Sequence, residues 1–319
     1  MTLAAGSALR LHTQAVKARA AELGFDAVGI AEAGPIDPDD RLGGWLAQGY
    51  HAGMTWMEHT KSVRQDVRAK LPGARSVVVV ARNYHAPRPP GQPGAGRVSR
   101  YAWGRDYHRA LAKPLRALAQ LLDAFDPKSR SYCSIDTGPV AERAWAQRAG
   151  VGWFGKNAML IREGLGSWCF LGTIITKVVL ESDTPVEERC GTCRRCIDAC
   201  PTGAIIAPGL IDARRCIAYH TVENRGEIPA DIRPHFGDWL FGCDTCQDVC
   251  PWNRRAPTTS LKDFRPRPGN ASLDLEMLET MDEPAFNKRF EGSPIRRIGL
   301  SGIQRNASIV RCNAAAPPQ

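Results

Sequence analysis

Two sets of regularly spaced cysteines restrict the fold of this chain more than anything else in its sequence. The first set is spaced Cys-x2-Cys-x2-Cys-x3-Cys-Pro, and the second repeats the later half of that spacing, with one further cysteine upstream. The eight residues are Cys190, Cys193, Cys196, Cys200, Cys216, Cys243, Cys246 and Cys250. Thiolates with this spacing hold [4Fe–4S] clusters. The chain is therefore predicted to carry two such clusters on tight loops.

The same spacing predicts how the ligands are shared between the clusters. Three thiolates on one short loop reach three irons of one cluster, whereas the fourth lies too far along the next helical turn and binds the other cluster. Cluster one is then expected to take Cys190, Cys193, Cys196 and Cys250. Cluster two is expected to take Cys200, Cys216, Cys243 and Cys246. This crossed arrangement is typical of bacterial ferredoxins with two clusters.

Structural zinc is the alternative, because four thiolates also close a tetrahedral zinc site. Zinc sites favour two Cys-x2-Cys pairs across a long loop, and two complete sets that each end in Cys-Pro do not fit that pattern. The remaining cysteines lie in or beside apolar segments and are expected to behave as small hydrophobic residues. They are Cys133, Cys169 and Cys312. Clusters are the favoured interpretation.

Three regions follow from the pattern of apolar residues. In residues 1–185, helices alternate with strands, which predicts an α/β or α+β domain. Residues 76–84 form a continuous β-branched run, as expected of a strand covered on both faces. Residues 186–256 are predicted to be the ferredoxin-like domain, and residues 257–319 a short helical region. At 319 residues the chain is long enough for several units, each with its own core.

The chain is basic, with 42 Lys and Arg against 33 Asp and Glu, a net charge of +9. Residues 61–130 alone hold fifteen basic and four acidic residues. Such a region is either a solvated surface or a surface that binds nucleic-acid phosphates, and charge alone does not decide between them. The longest apolar run, residues 77–81, is too short to cross a membrane. The N-terminus lacks the apolar centre of an export signal, so we expect a cytoplasmic protein.

A glycine pattern at residues 150–155 matches Gly-x-Gly-x-x-Gly, the fingerprint of dinucleotide sites. That motif must follow a strand, but a helix is predicted before it here, and Asn157 stands where a P-loop needs Ser or Thr. We therefore predict a helix exit and tight turn that presents Lys156 and Asn157 to a bound group.

Asp136 lies where a predicted strand ends, just before a predicted helix. Ligands bind at strand ends in α/β sheets, which makes this carboxylate a candidate site residue. The alternative is that Asp136 merely caps the following helix, a common use of aspartate. The position alone favours the cap.

Several motifs together resemble the epoxyqueuosine reductase family over nearly the whole chain. They are Tyr101-Ala-Trp-Gly-Arg-Asp-Tyr-His108, Asp136-Thr-Gly-Pro with Glu142-Arg143, Gly152-Trp-Phe-Gly-Lys-Asn157, Gly166-Ser-Trp168 with Leu171-Gly172, and both cysteine sets. The resemblance implies reduction of epoxyqueuosine to queuosine at the wobble position of a tRNA anticodon loop. It also implies base-off cobalamin in the N-terminal domain, an external one-electron donor such as a flavodoxin or ferredoxin, and a monomer.

The resemblance also implies roles for individual residues. Asp136 would be the catalytic proton donor, with its neutral form favoured by desolvation beside the corrin. Contacts to the cofactor are expected from His59, Ser99, Asp106, Asp136, Lys156, Asn157 and Ser167. Contacts to tRNA are expected from Arg225, Arg296, Arg297 and Arg305, with the basic segment 61–130 beside them.

The sequence departs from the family pattern in three places. Ser99 stands where some relatives carry a cysteine near cobalt, and His59 stands where the family has an arginine. The chain ends soon after residue 306, whereas longer relatives continue into helical repeats, so a smaller tRNA surface is expected. In agreement with base-off cobalamin, Asp106 and His108 do not begin an Asp-x-His-x-x-Gly cobalamin motif, because Leu111 stands where its glycine would be.

Two rival functions use the same clusters. One is a corrinoid-dependent reductase of a small molecule, such as an organohalide, whose relatives usually carry a twin-arginine leader that this sequence lacks. The other is a simple electron carrier. A carrier would not need the large N-terminal domain with Asp136, so both rivals rank below the tRNA enzyme.

Overall fold

The computed structural model describes residues 2–128 and 130–315. The α-helices are α1 (Thr2–Glu22), α2 (Arg41–Ala47), α3 (Trp56–His59), α4 (Lys61–Gln65), α5 (Tyr107–Phe125), α6 (Glu142–Arg148), α7 (Arg195–Asp198), α8 (Ile217–Val222), α9 (Thr245–Asp248), α10 (Leu275–Thr280), α11 (Glu283–Arg289) and α12 (Gly299–Ala315). The strands are β1 (Ala27–Glu32), β2 (Ser76–Asn83), β3 (Ala95–Val98), β4 (Tyr132–Ser134), β5 (Trp153–Phe154), β6 (Leu160–Ile161), β7 (Cys169–Thr176), β8 (Ile205–Ala207), β9 (Leu210–Ile211), β10 (Trp239–Phe241) and β11 (Ser272–Asp274).

The main sheet has the order β1-β2-β7-β4. Strand β2 is covered on both faces, because its alternate side chains enter two separate cores. Val78 and Val80 pack with α1 and α5, whereas Val77 and Val79 pack with Trp145 of α6. The predicted buried strand is therefore present. Every pairing in this sheet is antiparallel, so the region is α+β rather than a parallel α/β sheet.

A second sheet joins the three regions that the sequence separates. Its order is β10-β3-β11, with the central strand from the first region and the outer strands from the second and third. The core beneath it contains Trp103, Phe241 and Leu278, one residue from each region. The regions thus share a core, in contrast to the expectation of a separate core for each.

The glycine-rich segment has a structural explanation. Helix α6 ends at Arg148, Gly150 adopts a φ of 70°, and the chain then enters the β5–β6 hairpin. A Cβ atom at Gly152 would lie 2.3 Å from the carbonyl oxygen of Ile161, so only glycine fits there. The predicted helix exit and turn are present. Among the described residues, no helix is both long and apolar enough to cross a membrane.

Candidate functional site

The four cysteines predicted to bind cluster one surround a single cavity. Its lining includes Cys190, Cys193, Cys196 and Cys250, together with Lys156, Asn157, Ile161, Pro251 and Trp252. Burial raises the pKa of the Cys250 thiol, and the charges of Cys190 and Cys193 raise it further. The distant cysteine of the second set thus lies beside the first set, where crossed ligation requires it.

The other four cysteines come together in the same way. Burial raises the pKa of the Cys246 thiol, and the charges of Cys243, Cys216 and Cys200 raise it further. Among residues 2–128 and 130–315, no three His, Cys, Asp or Glu side chains are grouped as a site for a single metal ion. The eight thiols form two groups of four, which is the ligand set that [4Fe–4S] clusters need.

Three residues expected to contact the cobalamin lie against the cluster loops, and their contact with the cofactor stays a prediction. The Lys156 ammonium donates hydrogen bonds to the carbonyl oxygens of Gly191 and Cys193, the latter at 3.1 Å. Asn157 Nδ2 lies 3.4 Å from the carbonyl oxygen of Cys246. The Ser167 hydroxyl, which is buried, donates to Gln247 Oε1 at 2.8 Å. Their observed role is to hold the loops that carry the cysteines.

Ser99 is also attached to a cluster loop. Its hydroxyl donates to Asp244, which lies between Cys243 and Cys246 and has a fully buried side chain. Arg88 and Arg100 neutralise this carboxylate, with guanidinium nitrogens 2.7 Å and 3.0 Å from Asp244 Oδ2. A buried carboxylate persists only with such partners. The network fixes the loop of the second thiol group against the N-terminal region.

Asp136 lies in an open recess of the α+β region. Its side chain is 65 % exposed to solvent although protein surrounds it on most sides. The backbone there has a φ of 59°, in the left-handed region. The N-cap of α6 is Ala141, so the alternative that Asp136 caps this helix is wrong. The carboxylate is therefore open to solvent and accessible to a ligand.

The protein groups around Asp136 favour its ionised form, and the neutral form expected beside a corrin stays a prediction. Burial raises its pKa, but His108, the Tyr107 hydroxyl and the charge of Arg297 together hold the pKa below its usual value. The Tyr107 hydroxyl donates a hydrogen bond to Asp136 Oδ2 at 2.5 Å. Asp136 is therefore a carboxylate near neutral pH, and the proton of this site is held elsewhere.

Besides the Tyr107 hydroxyl, His108 on the first turn of α5 carries a proton close to Asp136. Asp106 caps this helix, and its Oδ1 accepts from the His108 backbone N–H at 3.0 Å and lies 2.7 Å from His108 Nδ1. Burial lowers the pKa of His108, but Asp106 and Asp136 outweigh it and raise the pKa to about 9. Asp106, expected to contact the cofactor, is thus engaged with His108.

A second acid lies in the polar wall behind Asp136. Burial raises the pKa of Glu142 to about 7, and the charge of Asp136 adds to this effect. Ser134 donates to Glu142 Oε1 at 3.2 Å. Arg64 approaches from α4 and donates to the carbonyl oxygen of Val140 at 3.0 Å. The recess therefore combines an ionised carboxylate, an imidazolium and a carboxyl that titrates near neutral pH.

The arginines expected to contact tRNA differ in their engagement. Arg305 donates to the carbonyl oxygens of His220, Asn224 and Gly226, at 2.8, 2.9 and 2.5 Å, so its guanidinium acts inside the protein. Arg297 forms a bidentate pair with Glu223 at 2.6 and 2.8 Å and lies over the exposed Trp56.

The two other arginines also form hydrogen bonds within the protein. Arg225 donates to the carbonyl oxygens of Val222 and Arg297. Arg296 donates to Asn287 at 2.7 Å. His59 is exposed at the end of α3. The sequence predicts no role for Tyr107, His108 or Glu142, although the Asp-x-His spacing at a helix start is a usable signal.

The fold and the thiol groups define an iron–sulfur oxidoreductase. Residues 189–253 match the "4Fe-4S double cluster binding domain", and residues 64–137 match "Epoxyqueuosine reductase QueG, DUF1730". An epoxyqueuosine reductase of Gloeobacter violaceus is 48 % identical over 92 % of this chain and 93 % of its own. The chain belongs to the epoxyqueuosine reductase family.

Solved structures of epoxyqueuosine reductases agree with this assignment. The Bacillus subtilis enzyme, solved with its catalytic aspartate loop swung out of the active site, matches with a TM-score of 0.88 at 33 % identity. Another, solved with an epoxyqueuosine-modified stem loop of tyrosine tRNA, matches with a TM-score of 0.87 at 33 % identity. Each match covers 94 % of this chain, and 81 % and 80 % of the respective relatives.

Proposed function

We propose that this chain reduces epoxyqueuosine to queuosine at the wobble position of tRNA anticodon loops. Electrons from an external one-electron carrier, such as a flavodoxin or ferredoxin, would pass through two [4Fe–4S] clusters to base-off cobalamin. The observation that carries the proposal is the open recess around Asp136, next to the loop of the second thiol group. Tyr101 connects the two, because its ring packs 6.3 Å from Tyr107 and 6.0 Å from Phe241, two residues before Cys243.

The recess is the proposed place for the cofactor. Tyr101 and Tyr107 pack against each other beside it, and the buried His108 Nε2 has no hydrogen-bond partner in the part of the chain that is described. Tyr101, Tyr107 and Asp136 would border the cofactor, with His59 as a further proposed contact. Cobalamin would supply the low-valent metal centre that delivers electrons to the substrate.

The protein would supply protons and position the substrate. Conversion of the epoxide to an alkene takes two electrons and two protons, and releases the oxygen as water. Asp136 would pass protons to that oxygen, as a carboxyl within hydrogen-bond reach of the leaving group does. The relative whose catalytic aspartate loop swings out supports this role, since Asp136 also lies on a loop, between β4 and α6.

The substrate would be one nucleotide of an anticodon loop, which must leave its stack to enter the recess. The relative solved with a modified tRNA stem loop supports such binding. Arg297 and Arg296 are the proposed phosphate contacts, with Arg225 beside them and the basic segment 61–130 as an extension. We propose that residues 1–185 bind cobalamin, that residues 186–256 transfer electrons and that residues 257–319 contact tRNA. A cytoplasmic monomer is the proposed form.

The test is nucleoside analysis of epoxyqueuosine-tRNA after anaerobic treatment with the cobalamin-loaded, cluster-loaded protein and a reductant. Asp136→Asn should abolish queuosine formation while the absorbance of cobalamin and clusters persists. The control is Asp39→Asn, which changes an exposed carboxylate that pairs with Arg41. Undiminished turnover by the Asp136 variant would remove this residue from the mechanism, and no product from the wild type would refute the proposed function.

A further inference from the structure

The chain from Asp106 through His108 to Asp136 is arranged like a proton relay. His108 Nδ1 lies 2.7 Å from Asp106 Oδ1, and the opposite ring nitrogen, Nε2, lies 3.6 Å from Asp136 Oδ2. One carboxylate therefore orients the ring, and the other faces its free nitrogen. In other enzymes a carboxylate bonded to one ring nitrogen orients a catalytic imidazole and fixes which nitrogen can exchange a proton.

The free nitrogen has no other use among the described residues. His108 Nε2 is sealed from water and lacks a hydrogen-bond partner there. A buried polar atom without a partner costs free energy unless a nearby group completes its bonding. The gap to Asp136 exceeds a hydrogen bond by a few tenths of an ångström, and Asp136 lies on a loop with left-handed backbone. A small shift of that loop closes the gap.

We propose that His108 holds the proton that Asp136 delivers, so that His108 reloads the Asp136 carboxylate during turnover. This inference rests on the proposed function. In each transfer the His108 Nε2–H bond breaks as an O–H bond forms on Asp136. That O–H bond then breaks as the epoxide-derived oxygen takes the proton. Two such transfers and two electrons from the one-electron carrier convert the epoxide to an alkene and water. His108 acts through Asp136 and is a positioning residue.

Charge supports this assignment. The groups that face His108 are Asp106 and Tyr107 from the start of α5 and Asp136 from the loop after β4. Because both carboxylates stabilise the imidazolium, the pKa of His108 rises to about 9, and the proton stays on the ring below that pH. Burial and the neighbouring carboxylates raise the pKa of Tyr107, so its hydroxyl remains protonated. The side chains of His108 and Asp106 are 29 % and 24 % exposed, so a proton lost from Nε2 would be replaced at Nδ1 by way of Asp106.

The experiment is the pH profile of kcat/KM with epoxyqueuosine-tRNA, using the fully loaded enzyme. The wild type should lose activity above a pKa of about 9, as His108 deprotonates. His108→Gln should reduce kcat/KM about 100-fold and remove that alkaline limb. Asp106→Asn keeps the acceptor for the helix cap and ring but removes the charge, so the limb should move to lower pH. The control His235→Gln, which changes an exposed histidine, should keep the wild-type profile.

A second measurement does not depend on turnover. NMR titration of the histidine rings in the loaded protein with oxidised clusters should show one ring with a pKa near 9, absent in His108→Gln and lowered in Asp136→Asn. A His108 ring that is neutral at pH 7, or a profile unchanged by Asp106→Asn, would overturn the relay. Failure of the wild type to make queuosine, with the high histidine pKa still present, would refute the proposed function alone.

Discussion

The cluster loops and the Asp136 recess obtain their functional groups in different ways. The first thiol group takes three of its cysteines from residues 190–196. The second thiol group needs Cys216 to approach Cys243 and Cys246, and Cys250 and Cys200 are exchanged between the two sets. The recess takes Asp136 from a loop after β4, His108 from the start of α5 and Arg297 from the turn Pro294–Ile298. Most cluster ligands thus come from short stretches of the chain, whereas the residues of the acid–base site are brought together by the whole fold.

The largest effect should come from removal of a cysteine that one cluster loop contributes to the other cluster site. Cys250→Ser removes the one ligand that the second loop gives to the first cavity. Iron and sulfide per chain should fall from about eight of each to about four or fewer, because a [4Fe–4S] cluster needs all four ligands. Chemical analysis of the anaerobically reconstituted protein measures this. Cys312→Ser, which changes an exposed cysteine, should leave the content unchanged. Zinc in place of iron would contradict the cluster assignment itself.

The next effect concerns the contact between the two regions. Arg100→Ala leaves the buried Asp244 with one fewer cationic partner. The change also removes the ion pair between Arg100 and Asp248. Loss of one partner of a buried ion pair costs about 3–5 kcal/mol of unfolding free energy. Chemical denaturation of the cluster-loaded protein provides the measurement. Arg105→Ala, whose partner Asp263 is exposed, should cost less than about 1 kcal/mol. Equal losses would show that Asp244 does not depend on Arg100.

A smaller effect tests the electrostatics of the recess. Burial raises the pKa of Glu142 to about 7 from its ordinary value of 4.5, so the folded state binds this proton more tightly than the unfolded state. Its contribution to stability is therefore present at low pH and is lost as the pH rises from about 4.5 to 7.

Glu142→Gln should remove this dependence. Between pH 5.5 and pH 8 the unfolding free energy of the variant should rise by about 1–2 kcal/mol relative to that of the wild type. The value is modest because Glu142 borders an open recess. Denaturation at the two pH values measures it, with Glu163→Gln, an exposed change, as the control. If variant and wild type differed in unfolding free energy by the same amount at both pH values, Glu142 would already be ionised at pH 5.5.

The smallest effect distinguishes two arginines that look alike in the sequence. Arg297→Ala should lower the slope of log affinity for tRNA against log salt concentration by about 1, as loss of one phosphate contact does. Arg305→Ala should lower the stability of the protein and leave the slope unchanged, because Arg305 binds backbone carbonyls. Binding titrations at several salt concentrations provide the slopes. The reverse pattern would mean that the tRNA surface lies nearer Arg305.

The sequence by itself determined the two groups of cluster cysteines, the buried strand β2 and the family. Each of these is encoded in residues that are close together in the chain, or in a period that the backbone imposes. Even the grouping of Cys250 with the first set followed from the reach of one loop.

Only the tertiary structure decided the charge of Asp136, the position of Lys156 and Ser167 beside the cluster loops, and the internal role of Arg305. A pKa depends on every charge and on the solvent around the group, and His108 and Arg297 reach Asp136 from distant parts of the chain. The shared sheet of β10, β3 and β11 likewise joins strands far apart in the sequence. Contacts across such separations leave no local pattern, because each partner is compatible with many others until the chain packs.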